Sequence, residues 1–541
     1  MLLAFMAGCM INAAKNESQT YDEGFHLVAG FSYWTKADFR LNAEHPPLGK
    51  LLSAAPLLAT SARLPDMPGA WNNSDQVAFS DPFLYQNQLS ARRLLLLGRM
   101  ATIAITMALG LAIAIWTRRR FSTAAALIAL FLLATDSNFL AHGHYITTDA
   151  LAAATFFLAA ITWVAYLESG RLIHLAAAAV ALGLALAGKY SALYLIPVHL
   201  LLYALFRGQG RRRVFTAMAG ALIVLALVYG PESAKLFRKG ALEPMTQHTS
   251  LNTAAGVKAH YVAQLLHLPA HRYLLGLWML ASHVDEGHRS YLLGQISRAG
   301  DWRYFPLAFA VKTPTAALLL LVMTLLALPW LLRPWSLSRA ALVLYPLVYF
   351  AWCISSRLNI GHRHLLPVYP FLFVAAGIAL THCWRKKWPR LTLAVLVAAA
   401  GIQAAELARV HPHYLSFFNA LSGGPMDGPR YLLDSNIDWG QDVRYLKAWM
   451  DRNGTEVVCL SYFGMANLQY HGIREAPLVN MSEQERADQD CVAAISVNNL
   501  YDLYLPEGTH AWARRLKPVG RVGYSIYLYD LRKDRSQPLL P

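Results

Sequence analysis

The first polar stretches of this sequence place acids and a histidine where they could accept or position a proton. The pair Asp22-Glu23 follows a short apolar run, and Glu44-His45-Pro46-Pro47-Leu48-Gly49-Lys50 precedes the next apolar residues. A partly desolvated carboxylate beside another acid has a raised pKa and is therefore a better general base near neutral pH. The acids could instead cap the helix that follows, and the two prolines could simply stiffen a turn before a helix.

Three later stretches add cations and further acids. They are "ATDSNFLAHGHYITTDAL", the "GKYS" break and "SSRLNIGHRHLLPVYP", with the ionisable residues Asp136, His142, His144, Asp149, Lys189, Arg357, His362, Arg363 and His364. Early carboxylates and late cations suit a site that activates a hydroxyl and holds a phosphate. The H-x-H spacing of His142 and His144 is compatible with a metal site or with a satisfied polar cluster, and Lys189 could simply extend to the membrane interface.

Long apolar runs separate these stretches and must position them. The 541 residues are 56% hydrophobic and 15% charged, whereas soluble proteins carry about 25% charged residues. A crossing helix needs roughly 20 mostly apolar residues. The sequence therefore predicts an α-helical polytopic membrane protein with about eleven transmembrane helices. The candidate spans are 1–13, 94–116, 122–140, 148–167, 173–188, 190–206, 214–230, 306–332, 339–354, 365–383 and 391–407. The first is short for a full crossing, so residues could precede Met1.

The distribution of basic residues predicts the orientation. Alternate short loops carry fourteen Lys and Arg residues, whereas the short loops on the opposite side carry three, namely Lys189, Arg357 and Arg363. Because short cytoplasmic loops are rich in basic residues, the first set is assigned to the cytosol. The long loops 14–93 and 231–305, and everything after residue 407, then face outward, as do all the polar stretches above.

The C-terminal part is predicted to be a small soluble α/β domain over 411–541, with the transmembrane domain over 1–410. Residues 411–541 have a net charge of −2 against +18 for the rest, so the basic charge belongs to the membrane part and nucleic-acid binding is not indicated. The runs "TEVVCLSYFG", "DCVAAISVNN" and "GYSIYLYDL" are typical of strands. "DWGQDVRYLKAWMDRNG" predicts a helix with Asp438 as its N-cap.

The five cysteines do not suggest a zinc or redox motif, because no C-x-x-C pair occurs. Cys459 and Cys491 share the C-terminal part. They could form a disulfide if this part lies outside the cytosol, or remain free thiols. The other three lie in or beside apolar segments, where cysteine commonly packs as a small apolar residue.

Several of these motifs resemble a known family. The acidic pair followed by "HPPLGK", the stretch "DSNFLAHGHYITTDAL", the late basic loop "RLNIGHRHLLPVYP" and "DSNIDWGQD" within 411–450 resemble the protein O-mannosyltransferases and their bacterial relatives, the phospholipid carrier-dependent glycosyltransferases. These are C-type integral-membrane glycosyltransferases. The resemblance covers most of the chain and is weakest over 231–305.

The resemblance implies an inverting transfer of a sugar from a polyprenyl (undecaprenyl- or dolichyl-type) monophosphate to an acceptor hydroxyl at the outer face of a bacterial inner membrane. It implies that Asp22 is the general base, that its neighbour Glu23 is the less favoured base, and that a protein, glycan or lipid is the acceptor. The basic residues implied to bind the donor phosphate are Arg363, His364, Lys189 and Arg357. Those implied to position the sugar or acceptor are Asp149, Glu44, His45, Lys50, His142 and His144.

Two departures from the family pattern bear on metal and acceptor. Relatives that modify lipid A carry Glu-Lys-Pro-Pro and have a metal associated with their site, whereas this chain has Glu44-His45-Pro46-Pro47. A divalent metal held by Glu44 and a histidine such as His362 is therefore compatible with the sequence, while Gly49-Lys50 resembles the mannosyltransferase type. No inserted β-trefoil is predicted in 231–305, which weakens the case for a protein acceptor.

Two other classes of function remain open at this stage. A transporter or flippase for lipid-linked sugars would use the same basic loops, but no inverted repeat of broken spans is evident. An assembly scaffold would use the outer domain for binding alone. A transferase that uses nucleotide sugars is not indicated, because no Gly-rich strand–helix fingerprint occurs. For the C-terminal domain itself, the sequence favours acceptor docking or closure over the site.

Overall fold

Helices occupy all eleven of the predicted spans. The computed structural model describes residues 1–206, 211–232, 270–333, 335–386, 388–479, 481, 485, 490–532 and 539. The membrane part contains the helices α1 Leu2–Asn16, α6 Ala91–Arg120, α7 Thr123–Thr135, α8 Ser137–His142, α9 Asp149–Ser169, α10 Leu172–Gly188, α11 Leu195–Leu205 and α12 Arg211–Val228. It continues with helices Tyr304–Lys312, Thr315–Leu326, Leu328–Leu331, Leu337–Ser355, Tyr369–Lys386 and Pro389–Val410.

Within the described residues, five helices are long and apolar enough to span a membrane. They are Ala91–Arg120, Asp149–Ser169, Leu337–Ser355, His362–Arg385, which includes a 3-10 turn at His362–Val368, and Pro389–Val410. A bent pair, Tyr304–Lys312 and Thr315–Leu326, meets at 111° and would make a sixth. Its break falls at Pro314, which lacks a backbone N–H to continue a helix. The predicted polytopic helical fold is confirmed.

Small residues bring the membrane helices close together. A Cβ added to Gly183 of α10 would lie 2.7 Å from the carbonyl oxygen of Ala221 of α12. One added to Gly377 would lie 2.3 Å from the carbonyl oxygen of Ala125 of α7. Such contacts are typical of helices that pack without a hydrophobic driving force between them. They fix the relative positions of the helix ends that carry the polar residues.

The outer segment 14–93 is largely helical. It contains α2 Glu23–Lys36, α3 Leu48–Ala54, a 3-10 turn at Ala55–Ala59, α4 Pro68–Asn72 and α5 Gln76–Tyr85. Eleven of the fourteen residues of α2 are buried. The second outer segment contains the helix His271–Glu286 and the hairpin β1 Ser290–Leu292 and β2 Gln295–Ser297. Residues 233–269 lie outside the described residues, and so does that part of the predicted absence of a β-trefoil from 231–305.

The C-terminal part contains a five-stranded sheet, as the three predicted strands suggested. Its order is β4-β3-β5-β7-β6, with β3 parallel to β4 and β5, and β7 antiparallel to β5 and β6. The strands are β3 Val457–Ser461, β4 Arg474–Pro477, β5 Val492–Ser496, β6 Gly520–Val522 and β7 Ile526–Asp530. Cys459 of β3 and Cys491, which immediately precedes β5, form a disulfide with their Cα atoms 6.0 Å apart.

The predicted helix of this part begins later than expected. It covers Val443–Arg452, with Asp442 as its N-cap residue, so the assignment of Asp438 as N-cap was wrong. Residues 438–442 form a turn instead, because Gly440 adopts φ 87 and its N–H donates to Asp438 Oδ1 at 3.1 Å. The face formed by Val443, Leu446, Trp449 and Met450 is buried as predicted.

Several contacts cross the predicted domain boundary at residue 410. Lys312 Nζ donates to the carbonyl oxygens of Leu415 at 2.9 Å and Asn436 at 2.7 Å. The Asn419 side-chain amide donates to the carbonyl oxygens of Ala310 and Thr313 at 2.6 and 2.8 Å. All these donors are buried, so the C-terminal part is held against the membrane part by specific bonds.

Candidate active site

A chain of alternating charges joins four of the polar stretches. Arg363 Nη1 lies 3.2 Å from Asp22 Oδ2 and 4.0 Å from Asp149 Oδ2, and Asp149 Oδ1 lies 2.5 Å from Lys189 Nζ. Asp22 immediately precedes α2, Asp149 is the first residue of α9, Lys189 follows α10, and Arg363 belongs to the 3-10 turn. The sequence thus correctly indicated that early acids and late bases share one place.

Three polar atoms in this neighbourhood are buried and have no hydrogen-bond partner among the described residues. They are Arg363 Nε, His364 Nε2 and His142 Nδ1. Leaving such a group unpaired costs about 1–3 kcal/mol. Unpaired groups of this kind at a cluster of cations are therefore candidates to bind a polar ligand. His364 is close enough to Lys189, Arg363 and Asp149 to interact with each of them electrostatically.

Asp22 and Glu23 are adjacent but have different environments. The Asp22 side chain is 25% exposed; burial raises its pKa above the ordinary value, and Arg363 offsets this only in part. Glu23 is fully buried and binds the Arg99 guanidinium through both oxygens, at 2.8 and 2.6 Å. Burial would raise the pKa of Glu23, but Arg99 and the N–H groups of Thr20 and Ile146 hold it below the ordinary value. Asp22 is consequently the carboxylate with room to accept a proton.

Trp439, in the "DSNIDWGQD" segment, forms one wall of the site. The guanidinium carbon of Arg363 lies 4.0 Å from the centre of its indole ring. The ring is also 6.0 Å from the rings of His142 and Tyr145. The sequence pointed to this segment as a polar cluster with a tryptophan, but no sequence signal placed it against Arg363.

The same segment binds the backbone on both sides of the charge chain. On the Asp22 side, the Ser18 N–H donates to the Gln441 carbonyl oxygen at 2.9 Å and the Tyr21 N–H to that of Trp439 at 2.8 Å. On the Arg363 side, the His362 N–H donates to Asn436 Oδ1 at 2.9 Å, and Ser435 Oγ donates to the Ile360 carbonyl oxygen at 2.6 Å.

The "EHPPLGK" stretch contributes mainly to the framework of the outer segment. Lys50 is buried, and its Nζ donates to the carbonyl oxygens of Asn42 and His45 at 2.5 and 2.7 Å. Burial lowers the Lys50 pKa well below its ordinary value. Glu44 Oε1 accepts from Asn42 Nδ2 at 3.3 Å and from Gln76 Nε2 at 3.1 Å. Lys50 therefore holds a loop together from within.

His45, a predicted site residue, pairs with His26, which the sequence motifs did not indicate. Its ring lies 5.1 Å from that of His26, which is one helical turn after Asp22 on α2. Burial lowers the pKa of His26 to about 3, and Lys50 and Arg363 contribute in the same sense. His26 Nε2 has no partner among the described residues. The spacing of four residues from Asp22 was the signal that could have identified His26.

The two histidines of the H-x-H motif have separate environments. His144 bonds through Nδ1 to the Leu140 carbonyl oxygen at 2.7 Å and through Nε2 to Glu17 Oε2 at 2.9 Å. His142 packs beside Trp439 with Nδ1 unpaired. Asp136 caps α8, because its Oδ1 accepts the N–H groups of Asn138 and Phe139. His144 and Asp136 are thus structural in this arrangement.

The residues present do not fit a metal site. The part of the chain that the structure describes contains no group of three or more His, Cys, Asp or Glu side chains placed to hold a metal ion. His362 Nε2 bonds to the Tyr369 hydroxyl at 2.6 Å, whereas Glu44 bonds within the outer segment. Arg357 is exposed and its backbone packs against Gly300, so it does not join the charge chain in this arrangement.

Comparisons with known proteins identify both a family model and a fold. Residues 95–231 match the model described as dolichyl-phosphate-mannose-protein mannosyltransferase. ArnT from Cupriavidus metallidurans bound to undecaprenyl phosphate is 13% identical, with 99% of this chain and 98% of that chain covered and a TM-score of 0.50. The oligosaccharyltransferase of Archaeoglobus fulgidus in complex with Zn and sulfate is 13% identical over 96% of this chain and 71% of its own, with a TM-score of 0.47. The search of curated proteins finds no match.

Proposed function

We propose that this chain, which has the C-type fold of integral-membrane glycosyltransferases and matches the mannosyltransferase family model over part of its length, transfers a sugar from a polyprenyl monophosphate to an acceptor hydroxyl. The observation that carries the proposal is the Asp22–Arg363–Asp149–Lys189 charge chain. It combines a carboxylate suited to proton transfer with cations suited to a phosphate.

Phosphate binding is supported by the unpaired groups of the late basic loop. Arg363 Nε and His364 Nε2 are buried donors or acceptors without partners among the described residues. Arginine presents a planar set of N–H groups that matches phosphate oxygens. Without ligand, Asp22 and Asp149 neutralise Arg363 through single contacts of 3.2 and 4.0 Å. A donor phosphate would compete with them for the guanidinium and release Asp22.

In the proposed transfer, Asp22 accepts a proton and the cations of the charge chain bind the leaving phosphate. The acceptor O–H gives its proton to an Asp22 carboxylate oxygen while the acceptor oxygen forms a bond to the anomeric carbon. The bond between that carbon and the phosphate oxygen breaks, and polyprenyl phosphate leaves with the electron pair. Arg363, with His364 and Lys189, stabilises the negative charge that develops on the departing phosphate. Attack from the face opposite the phosphate inverts the configuration of the anomeric carbon.

Glu23 and Asp149 hold neighbouring cations in place and do not transfer the proton in this proposal. Glu23 forms an ion pair with Arg99, whereas its neighbour Asp22 faces Arg363. Asp149 holds Lys189 and faces Arg363, which places it beside the sugar or the phosphate. His26, His45 and His142 lie close enough to Arg363 to interact with it electrostatically, and burial lowers the pKa of each imidazole.

The proposed location is the outer face of a bacterial inner membrane, with the C-terminal domain outside the cytosol. The arginine-rich loops on the opposite side support this orientation. The Cys459–Cys491 disulfide supports it independently, because disulfides persist mainly in oxidising compartments. A protein, a glycan or a lipid carrying a free hydroxyl is the acceptor.

The proposal is tested with purified protein in nanodiscs and a radiolabelled polyprenyl-phosphate sugar. The wild type should release polyprenyl phosphate, and Asp22→Asn should lower the rate at least about a hundredfold, as expected for loss of a general base. Asp66→Asn, at an exposed position, is the control. Binding of the lipid without turnover by the wild type would overturn the proposal and favour a flippase or scaffold.

A further inference from the structure

A cavity of about 260 Å³ lies between the membrane part and the C-terminal domain. It is bordered by the end of α1, the start of α6 and the C-terminal residues that follow the turn at 438–442. Its polar lining residues include Glu17, Ser18, Arg92, Arg99, Arg444 and His471. None of the four residues of the charge chain lines it. Arg99 connects the two regions, because its guanidinium also binds Glu23.

The cavity carries more positive than negative charge, because three arginines line it and only Glu17 and the Arg99 partner Glu23 oppose them in the part of the chain that the structure describes. Arg99 is matched by Glu23, but neither Arg92 nor Arg444 has an ion-pair partner among the described residues. Burial lowers the pKa of Arg444, and the nearby Arg92 and Arg99 lower it further. The pKa of His471 is lowered to about 4 by burial and by Arg444, so its imidazole is neutral near pH 7. The guanidinium groups of Arg92 and Arg444 therefore repel each other, and neither forms an ion pair among the described residues.

Glu17 adds a carboxylate oxygen that accepts no hydrogen bond from the described residues, with the Tyr145 hydroxyl as its electrostatic neighbour. Its side chain is buried, and Oε2 lies 2.9 Å from His144 Nε2. Oε1 is buried without a hydrogen-bond partner in the part of the chain described here. An unpaired buried carboxylate oxygen is costly, because charged groups depend on hydrogen bonds when they are removed from water. A ligand that supplies an O–H or N–H group would satisfy it.

We infer that this cavity binds a phosphate group that carries a neighbouring hydroxyl or ammonium group. A phosphate ester bears between about one and two negative charges near neutral pH and accepts hydrogen bonds from guanidinium forks. Its charge matches Arg92 and Arg444, and its neighbouring donor matches Glu17 Oε1. The N-terminus of α6, capped by Ser90, faces the same region and adds attraction for an anion. Both a lipid headgroup and a soluble phosphate ester have this chemistry.

The test uses the full-length protein in phosphatidylcholine nanodiscs, without any sugar donor. Titration calorimetry with sn-glycerol 3-phosphate measures the soluble form. Native mass spectrometry of protein from nanodiscs that contain phosphatidylglycerol measures the headgroup form. We expect the double variant Arg92→Gln, Arg444→Gln to weaken whichever ligand binds at least about tenfold, as loss of charged hydrogen bonds implies. Arg93→Gln is the matched control, because Arg93 is exposed like its neighbour Arg92 but lies outside the cavity lining.

A third variant tests the role of Glu17. Glu17→Gln should weaken glycerol 3-phosphate more than methyl phosphate, because only the former carries the neighbouring hydroxyl. Binding of neither phosphate form by the wild type overturns the inference, as does an equal loss of affinity in Arg93→Gln. Because these measurements involve no transfer, their failure leaves the proposed transferase activity intact, and failure of the transfer assay leaves them intact.

Discussion

The guanidinium carbon of Arg363 lies over the indole ring of Trp439, 4.0 Å from the ring centre. Arginine stacked on an aromatic ring keeps its N–H edges free while its face is covered. Trp439 thereby limits the directions in which Arg363 can donate. A residue of the C-terminal domain thus orients the cation that we propose for donor binding.

Replacing Trp439 should mainly raise the KM for the sugar donor. A cation–π contact is worth roughly 0.5–2 kcal/mol, so Trp439→Ala should raise the KM for the polyprenyl-phosphate sugar about two- to thirtyfold. Trp439→Phe retains an aromatic face and should raise it less. Steady-state kinetics with varied donor provide the measurement, and Trp302→Ala, at an exposed tryptophan, is the control. An unchanged KM in Trp439→Ala would contradict this role.

The pH dependence of transfer should report on Asp22. Its pKa is raised by burial above the ordinary value, and the general base must be ionised to accept a proton. The rate should therefore fall as the pH decreases through a value above about 3.9, the ordinary pKa of aspartate. Because Arg363 lowers the Asp22 pKa, Arg363→Gln should move this acidic limb to higher pH. A limb that is unchanged in Arg363→Gln would argue against Asp22 as its source.

The ion pair of Glu23 and Arg99 should matter more for stability than for chemistry. Both side chains are fully buried, and removal of one partner from a buried pair typically costs about 3–5 kcal/mol. Glu23→Ala should therefore lower the Tm in detergent far more than Asp22→Asn does. The double variant Glu23→Gln, Arg99→Gln should recover part of the loss, since no unpaired charge remains. Equal Tm values for Glu23→Ala and the wild type would refute this assignment.

The disulfide should stabilise the C-terminal sheet, and the C-terminal part should be accessible from outside. Cys459 and Cys491 are separated by 32 residues, and closing a loop of that size is worth about 3–4 kcal/mol in the chain-entropy model. Cys459→Ser with Cys491→Ser should increase proteolysis of the C-terminal part, with Cys353→Ser as control. In intact spheroplasts, an added protease should therefore cleave the double variant within this part. Cleavage that requires membrane lysis would contradict the proposed orientation.

The sequence was most informative where a single local pattern decides the structure. Apolar runs located helices at all eleven predicted spans, five of which are long and apolar enough to cross a membrane among the described residues. β-branched runs located three strands of the C-terminal sheet. The acids and bases of the charge chain were identified because ionisable residues near a bilayer are costly without a purpose.

Local patterns failed where distant segments determine the outcome. Asp438 looked like a helix cap, but Gly440 and the contacts of 438–442 with Ser18 and Tyr21 favour a turn there. The sequence predicted Lys50 as a cation of the site. Its ammonium group instead donates to the backbone carbonyl oxygens of Asn42 and His45 and stabilises the outer segment. The stacking of Trp439 on Arg363 depends on a contact between segments far apart in sequence, which no local pattern encodes.

Residues 435–441 form hydrogen bonds both with Ser18–Tyr21 and with Ile360–His362. Asp22 and Arg363 are 341 residues apart, and the segment that connects their surroundings follows the described membrane helices in the chain. A chain that ends before residue 434 would lack these bonds. Complete assembly of the charge chain and its surroundings therefore depends on one of the last segments to leave the ribosome.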